Sequence, residues 1–213
     1  MGQRGRVDQD EVDRVDAGLG AFFVGLTGGG AADAYPTEQL VATYLRQLYE
    51  IVPKEQVDND ILAHPLTVSA RDALGQETSV IYVGEKGNQL SAMVFEATVP
   101  DGYSGPIRLL VGVDRNGVLL GTRVIAHKET PGLGDKIEKE KSDWILGFTG
   151  KSLTNPKLDR WKVKKDGGDF DQFTGASVTP RAVVNGVKRV LLYFDQQKDA
   201  LYKEYLDKAK TNP

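Results

Sequence analysis

Two glycine-bearing segments hold the residue types that could do chemistry. In Thr174-Gly175-Ala176-Ser177-Val178-Thr179-Pro180-Arg181, hydroxyls recur at 174, 177 and 179 around side-chain-poor positions, directly before a run of helical periodicity. A helix start of this kind leaves backbone N–H groups unsatisfied at the positive end of the helix dipole, which favours a phosphate. Arg181, one turn in, adds positive charge. Thr179 also reads as an ordinary N-cap, with Pro180 at the first helical position where a missing N–H removes no bond. On the residues alone both readings stay open. The segment is neither a Walker loop nor G-x-G-x-x-G.

The second segment is His127-Lys128-Glu129-Thr130-Pro131-Gly132-Leu133-Gly134-Asp135-Lys136. Two glycines spaced by one residue, beside a threonine hydroxyl, would let backbone N–H groups approach a planar or anionic ligand. They would equally make a tight connection from a strand to a helix.

Other chemistry is poorly supplied. The chain has no cysteine and two histidines, His64 and His127, which excludes thiolate zinc, iron–sulfur and cysteine-nucleophile chemistry and leaves too few imidazoles for a histidine-rich metal centre. No metal site and no catalytic residue is expected. No nucleophile elbow or paired glycosidase carboxylates stand out. The formal net charge of −3 gives no basic footprint for nucleic acid. Glycine is the compositional outlier, 24 of 213 residues, so many backbone positions are expected to need unusual dihedrals or close approach.

The elements that must position these segments form an α+β pattern: an antiparallel sheet of hairpins with flanking helices. Leu40, Tyr44, Leu48 and Ile51 predict an amphipathic helix between Pro36 and Pro53. Residues 78–126 read as strands separated by turn chemistry at Glu85-Lys86-Gly87-Asn88, Pro100-Asp101-Gly102 and Asp114-Arg115-Asn116-Gly117, where Asn116-Gly117 is a strong hairpin signal because both residues tolerate the positive φ of a primed turn. Residues 139–148 predict a short helix presenting Trp144, Ile145 and Phe148. Residues 179 to about 206 predict a longer one, with Val183, Val187, Val190, Leu191 and Phe194 facing the sheet.

At the segments 127–151 and 161–189 and at the turn 101–107, the sequence resembles the family of G subunits of the Rnf complex, over roughly residues 37–195. A more distant similarity is to the C subunit of the sodium-pumping NADH:quinone reductase. The resemblance implies an FMN-binding domain at 37–213 carrying one FMN, covalently held by a phosphoester to the last threonine of a Ser/Thr-Gly-Ala-Thr/Ser-x-Thr motif. Here the motif is Thr174-Gly175-Ala176-Ser177-Val178-Thr179, so Thr179 is the implied attachment point. Ser177 stands where threonine is commoner. The resemblance also implies that Glu129, Thr130, Pro131, Gly132, Leu133 and Gly134 lie against the flavin ring, with Trp144 packing nearby or, alternatively, serving the core. It further implies a flavin transferase as maturation partner, the other Rnf subunits as electron-transfer partners, and a place on the periplasmic side of the bacterial inner membrane. Electrons from reduced ferredoxin to NAD would pass through the flavin, coupled to ion movement.

The N-terminal residues 1–36 read as a leader. Their uncharged run, residues 17–32, has sixteen residues with six glycines, short of the ~20 that a membrane core requires. It reads either as a membrane anchor, which the family resemblance favours, or as a flexible glycine-rich leader.

Overall fold

The structure is a computed structural model that describes Asp10 and residues 38–211. The chain divides into two units, Met1–Glu50 and Ile51–Pro213. Helix α1 (Glu38–Ile51), which belongs to the first unit in all but its last residue, is amphipathic as expected, with one change of face. Leu40 is 44% exposed, while Val41, Tyr44, Leu45 and Leu48 are buried, so the apolar stripe starts one residue later than the sequence spacing suggested. Among the described residues no helix is long and apolar enough to cross a membrane. Residues 17–32 lie outside the described residues.

The second unit is a five-stranded antiparallel sheet in the order β1-β2-β3-β4-β5. Its strands are β1 (Leu66–Val68), β2 (Ser79–Lys86), β3 (Gln89–Val99), β4 (Ile107–Asp114) and β5 (Leu119–Ala126). A four-residue helix α2 (Arg71–Leu74) links β1 to β2, and the long helix α3 (Val178–Thr211) ends the described chain. The α+β expectation holds.

Alternation decides the core. Met93, Phe95, Ala97 and Val99 of β3 and Ile107, Leu109, Val111 and Val113 of β4 share one face. Val183, Val187, Val190, Leu191 and Phe194 of α3 join the same cluster, and Phe95 meets Phe194 edge to face at 6.2 Å. Each such side chain contributes about 1.5–3 kcal/mol by leaving water. Helix and sheet approach closely at Gly186, where a Cβ would stand 2.3 Å from Val99 Cγ2.

Two local expectations change. The primed hairpin is Gly87-Asn88, both at φ 58°, between the paired Lys86 and Gln89, rather than Asn116-Gly117. At the latter only Gly117 has positive φ, because the Asp114 carboxylate accepts from the N–H groups of Asn116 and Val118 and builds an Asx-type turn. The helix expected over 139–148 is a 3-10 segment, Asp143–Phe148, started by the Ser142 hydroxyl accepting from Trp144 N–H. Its Ile145 and Phe148 are buried as expected.

Candidate flavin site

The two glycine segments fold into matching turns. Pro131 and Gly132 occupy the central positions of the first, Gly132 at φ 76°, which is the residue pattern of a type II turn. The N–H groups of Leu133, Gly134 and Asp135 all point to the Thr130 carbonyl at 3.1–3.4 Å, coiling the loop about one acceptor. In the second turn Ala176 N–H bonds the Phe173 carbonyl at 3.2 Å, with Gly175 at φ 77°. The turns meet across Gly175, where a Cβ would lie 3.8 Å from Leu133 Cδ2.

Between them opens a cavity of about 440 Å³ lined by Tyr103, Glu129, Thr130, Leu133, Gly134 and residues 175–179. That volume is within the usual 300–1,000 Å³ of small-molecule sites. The sequence-proposed residues Gly175, Ala176, Ser177, Val178, Thr179, Glu129, Thr130, Leu133 and Gly134 thus come together. Thr174, Pro131 and Gly132 belong to the turns without lining the cavity. Trp144 stands behind it: its Nε1–H donates to the Asp171 carbonyl at 2.9 Å and its ring packs edge-on against Phe148 and Phe173. That fixes the stretch of chain from which the second turn springs.

Thr179 is not an N-cap. The helix begins at Val178, two residues before the expected first helical position at Pro180, and the Thr179 hydroxyl donates to Glu129 Oε2. Both residues are buried, Thr179 1% and Glu129 4% exposed. Glu129 also accepts from Tyr103 N–H at 3.2 Å on Oε2 and from Ser104 N–H at 2.9 Å on Oε1. All of these partners are donors, so the geometry suits an ionised carboxylate. His127, just before it in the chain, is satisfied: Nδ1 accepts from Glu129 N–H at 2.9 Å, which leaves the proton on Nε2 to donate to Glu138 at 2.6 Å.

Glycines clear the space around this contact. A Cβ on Gly134 would sit 2.8 Å from Thr179 Oγ and 2.9 Å from Glu129 Cβ, and one on Gly102 would sit 3.0 Å from Glu129 Oε1. Arg181, expected to lend positive charge, is engaged by Asp166 through Nε at 2.5 Å and Nη2 at 2.8 Å. Its Nη1 stands 3.5 Å from the Oγ of Ser177 in the cavity lining, so the guanidinium is tied on both sides, and the start of α3 adds the unsatisfied N–H groups that any helix leaves in its first turn. Sequence reasoning did not place Tyr103 and Ser104 at the site; the glycine pair Gly102 and Gly105 in the β3–β4 turn was the available signal.

The residues present fit a flavin mononucleotide: N–H groups at a helix start for the phosphate, and side-chain-poor turns with Leu133 for a flat ring. A sheet backed by one long helix whose first turn closes such a cavity defines a domain of the FMN-binding class, and the FMN-binding domain family matches residues 102–192. The chain is 43% identical over 194 residues to the G subunit of the ion-translocating oxidoreductase complex of Vibrio atlanticus, covering 89% of this chain and 93% of that one. It is 52% identical over 179 residues to the corresponding protein of Cronobacter sakazakii, covering 81% and 86%. Against that of Salmonella typhi it is 53% identical over 144 residues, covering 68% and 69%. The chain belongs to this family, the G subunits of ion-translocating oxidoreductase complexes.

Proposed function

We propose that this chain is the electron-transfer flavoprotein subunit of a membrane ion-translocating ferredoxin:NAD oxidoreductase of the Rnf type, carrying one FMN esterified through its phosphate to Thr179. It is a carrier within a translocase complex, not a stand-alone catalyst. The observation that carries this reading is Thr179 lining a cavity at the first turn of α3, between one turn that carries Gly132 and another that carries Gly175 at positive φ. The first-turn N–H groups and Ser177 would hold the phosphate. Gly175, Ala176, Thr130, Leu133 and Gly134 would hold the ring, with Thr174, Pro131, Gly132 and Val178 shaping the loops and Trp144 bracing them. Bound there, FMN supplies one- and two-electron chemistry, while the protein sets its position, potential and exposure.

The same reading makes a flavin transferase the maturation partner and the other subunits of the complex the redox neighbours, with the flavin domain on the periplasmic side of the inner membrane. No nucleic acid is involved. The test is a denaturing gel of the chain co-expressed with a flavin transferase, viewed under ultraviolet light. The wild-type band fluoresces and its peptide map places one FMN on Thr179, whereas Thr179→Ala runs dark. A fluorescent Thr179→Ala band would overturn the assignment.

A further inference from the structure

We propose that Glu129 is the proton acceptor for flavin attachment, so that this chain supplies the base for its own modification. The inference rests on Thr179 being the attachment point and adds a chemical role to a residue otherwise expected only to line the flavin. Thr179 Oγ is almost fully buried and its proton is already donated to Glu129 Oε2. A group reaching Oγ through the cavity therefore meets an oxygen whose proton points to a carboxylate. An external base would first have to break that bond inside a space which Gly134 keeps free only by lacking a side chain.

The carboxylate is held for the task. The backbone N–H groups of Tyr103 and Ser104 fix both its oxygens, and Glu129 N–H is in turn anchored on His127. An aliphatic hydroxyl is a poor nucleophile at its own pKa and is activated by an adjacent base within hydrogen-bond reach. The step balances without oxidation or reduction. A flavin dinucleotide supplies the phosphoryl group, the Oγ–P bond forms, and the P–O anhydride bond breaks. AMP leaves with that oxygen and its electron pair, and the Thr179 proton passes to Glu129.

Esterification also removes the donor that Glu129 had from Thr179. The transferred proton restores a donor between the two oxygens, which would otherwise face each other as acceptors beside a phosphate charge. One group thus serves as base during attachment and as hydrogen-bond donor after it.

The experiment uses the full chain purified from a host lacking flavin transferase, then mixed with transferase, magnesium and FAD and followed by intact mass. Wild type gains one FMN at Thr179. Glu129→Gln, whose amide NH2 must face one of the buried donors that now bond the carboxylate, melts lower but still cooperatively and keeps the wild-type half-saturating chain concentration, and it loses about 100-fold or more in maximal labelling rate, the range typical of general-base loss. Glu129→Asp, which keeps the charge on a shorter arm, falls between. Labelling of Glu129→Gln at the wild-type rate overturns the proposal and leaves Thr179 as the attachment point, whereas a wild-type chain labelled elsewhere overturns both. If Glu129→Gln does not fold, Glu129→Asp decides: an unchanged rate overturns the proposal and a lowered rate at an unchanged melting temperature supports it.

Discussion

Helix α3 gives hydroxyl protons to a carboxylate at each of its ends, and the two contacts have different surroundings. At the far end Tyr202 donates to Glu85 Oε1 at 2.6 Å and Tyr205 to Oε2 at 3.4 Å. Asn59 joins them, donating to Tyr205 and to the Val83 carbonyl and accepting from Glu85 N–H. The two phenol rings are stacked at an interplanar angle of 12°. At the near end Thr179 donates to Glu129 beside an open cavity, with glycines where side chains could have closed it. The motif of hydroxyl on carboxylate is the same. Whether it is only a strut depends on what else can reach the hydroxyl oxygen: a packed protein network surrounds Tyr205, and a ligand-sized space adjoins Thr179.

Among variants that leave Glu129 and Thr179 in place, the largest expected departure separates these ends directly. Gly134→Ala drives a methyl group against Thr179 Oγ and Glu129 Cβ, an overpacking that costs about 1–3 kcal/mol, and it should prise the contact apart. Its φ is not in the left-handed region, so backbone strain does not confuse the result. Covalent flavin loading should fall at least about tenfold in protein that still melts cooperatively. Loading equal to wild type would mean that the Glu129–Thr179 contact is as purely structural as its counterpart at Glu85.

The reciprocal variant is Tyr202→Phe. It removes a hydrogen bond to a carboxylate and should lower stability by about 1–2 kcal/mol at pH 7 while leaving flavin loading untouched. Burial first, and then the bond to Glu85, hold the Tyr202 hydroxyl above the ordinary tyrosine range. The contribution is therefore complete below the unfolded value of about 10 and is lost as pH rises from there through the folded value. Stability curves of wild type and Tyr202→Phe should converge above that pH. A constant gap in alkali would show that the contribution of the Tyr202 hydroxyl does not depend on its proton.

The sheet was legible because strands alternate and glycine and asparagine punctuate them, and the helix face of Val183 to Phe194 followed from period alone. What escaped were elements too short for a period, such as β1 and α2, and choices made by a single side chain, such as Asp114 drawing its turn away from the primed form. At the site, both glycine turns were visible as spacing. Glu129 was named with the first of them, but its bond to Thr179 was not, because the N–H groups fixing Glu129 come from a turn 25 and 26 residues upstream, and Thr179 lies 50 residues downstream. Sequence spacing carries no record of such partners. The N-cap reading failed for a related reason: a threonine before proline has the local grammar of a cap, and tertiary contact with Glu129 instead took its hydroxyl into the helix.

The smallest effect belongs to the ion pair at the first turn of α3. The Arg181 guanidinium, bonded in bidentate fashion, holds the Asp166 carboxyl below its ordinary value of 3.8. A depressed carboxyl stabilises the fold above its unfolded value, and that contribution disappears as pH falls through the lower folded value. Both side chains are about one-third exposed, so water and salt screen the pair and Asp166→Asn should shift the melting temperature only slightly at pH 7, less in high salt and not at all in strong acid. The informative reading is again flavin loading. With the phosphate held by first-turn N–H groups, releasing Arg181 should leave the labelling rate unchanged. A faster rate in Asp166→Asn would show instead that Asp166 keeps from the phosphate a guanidinium that could bind it, and the near end of α3 would then be an arginine site under restraint rather than a backbone one.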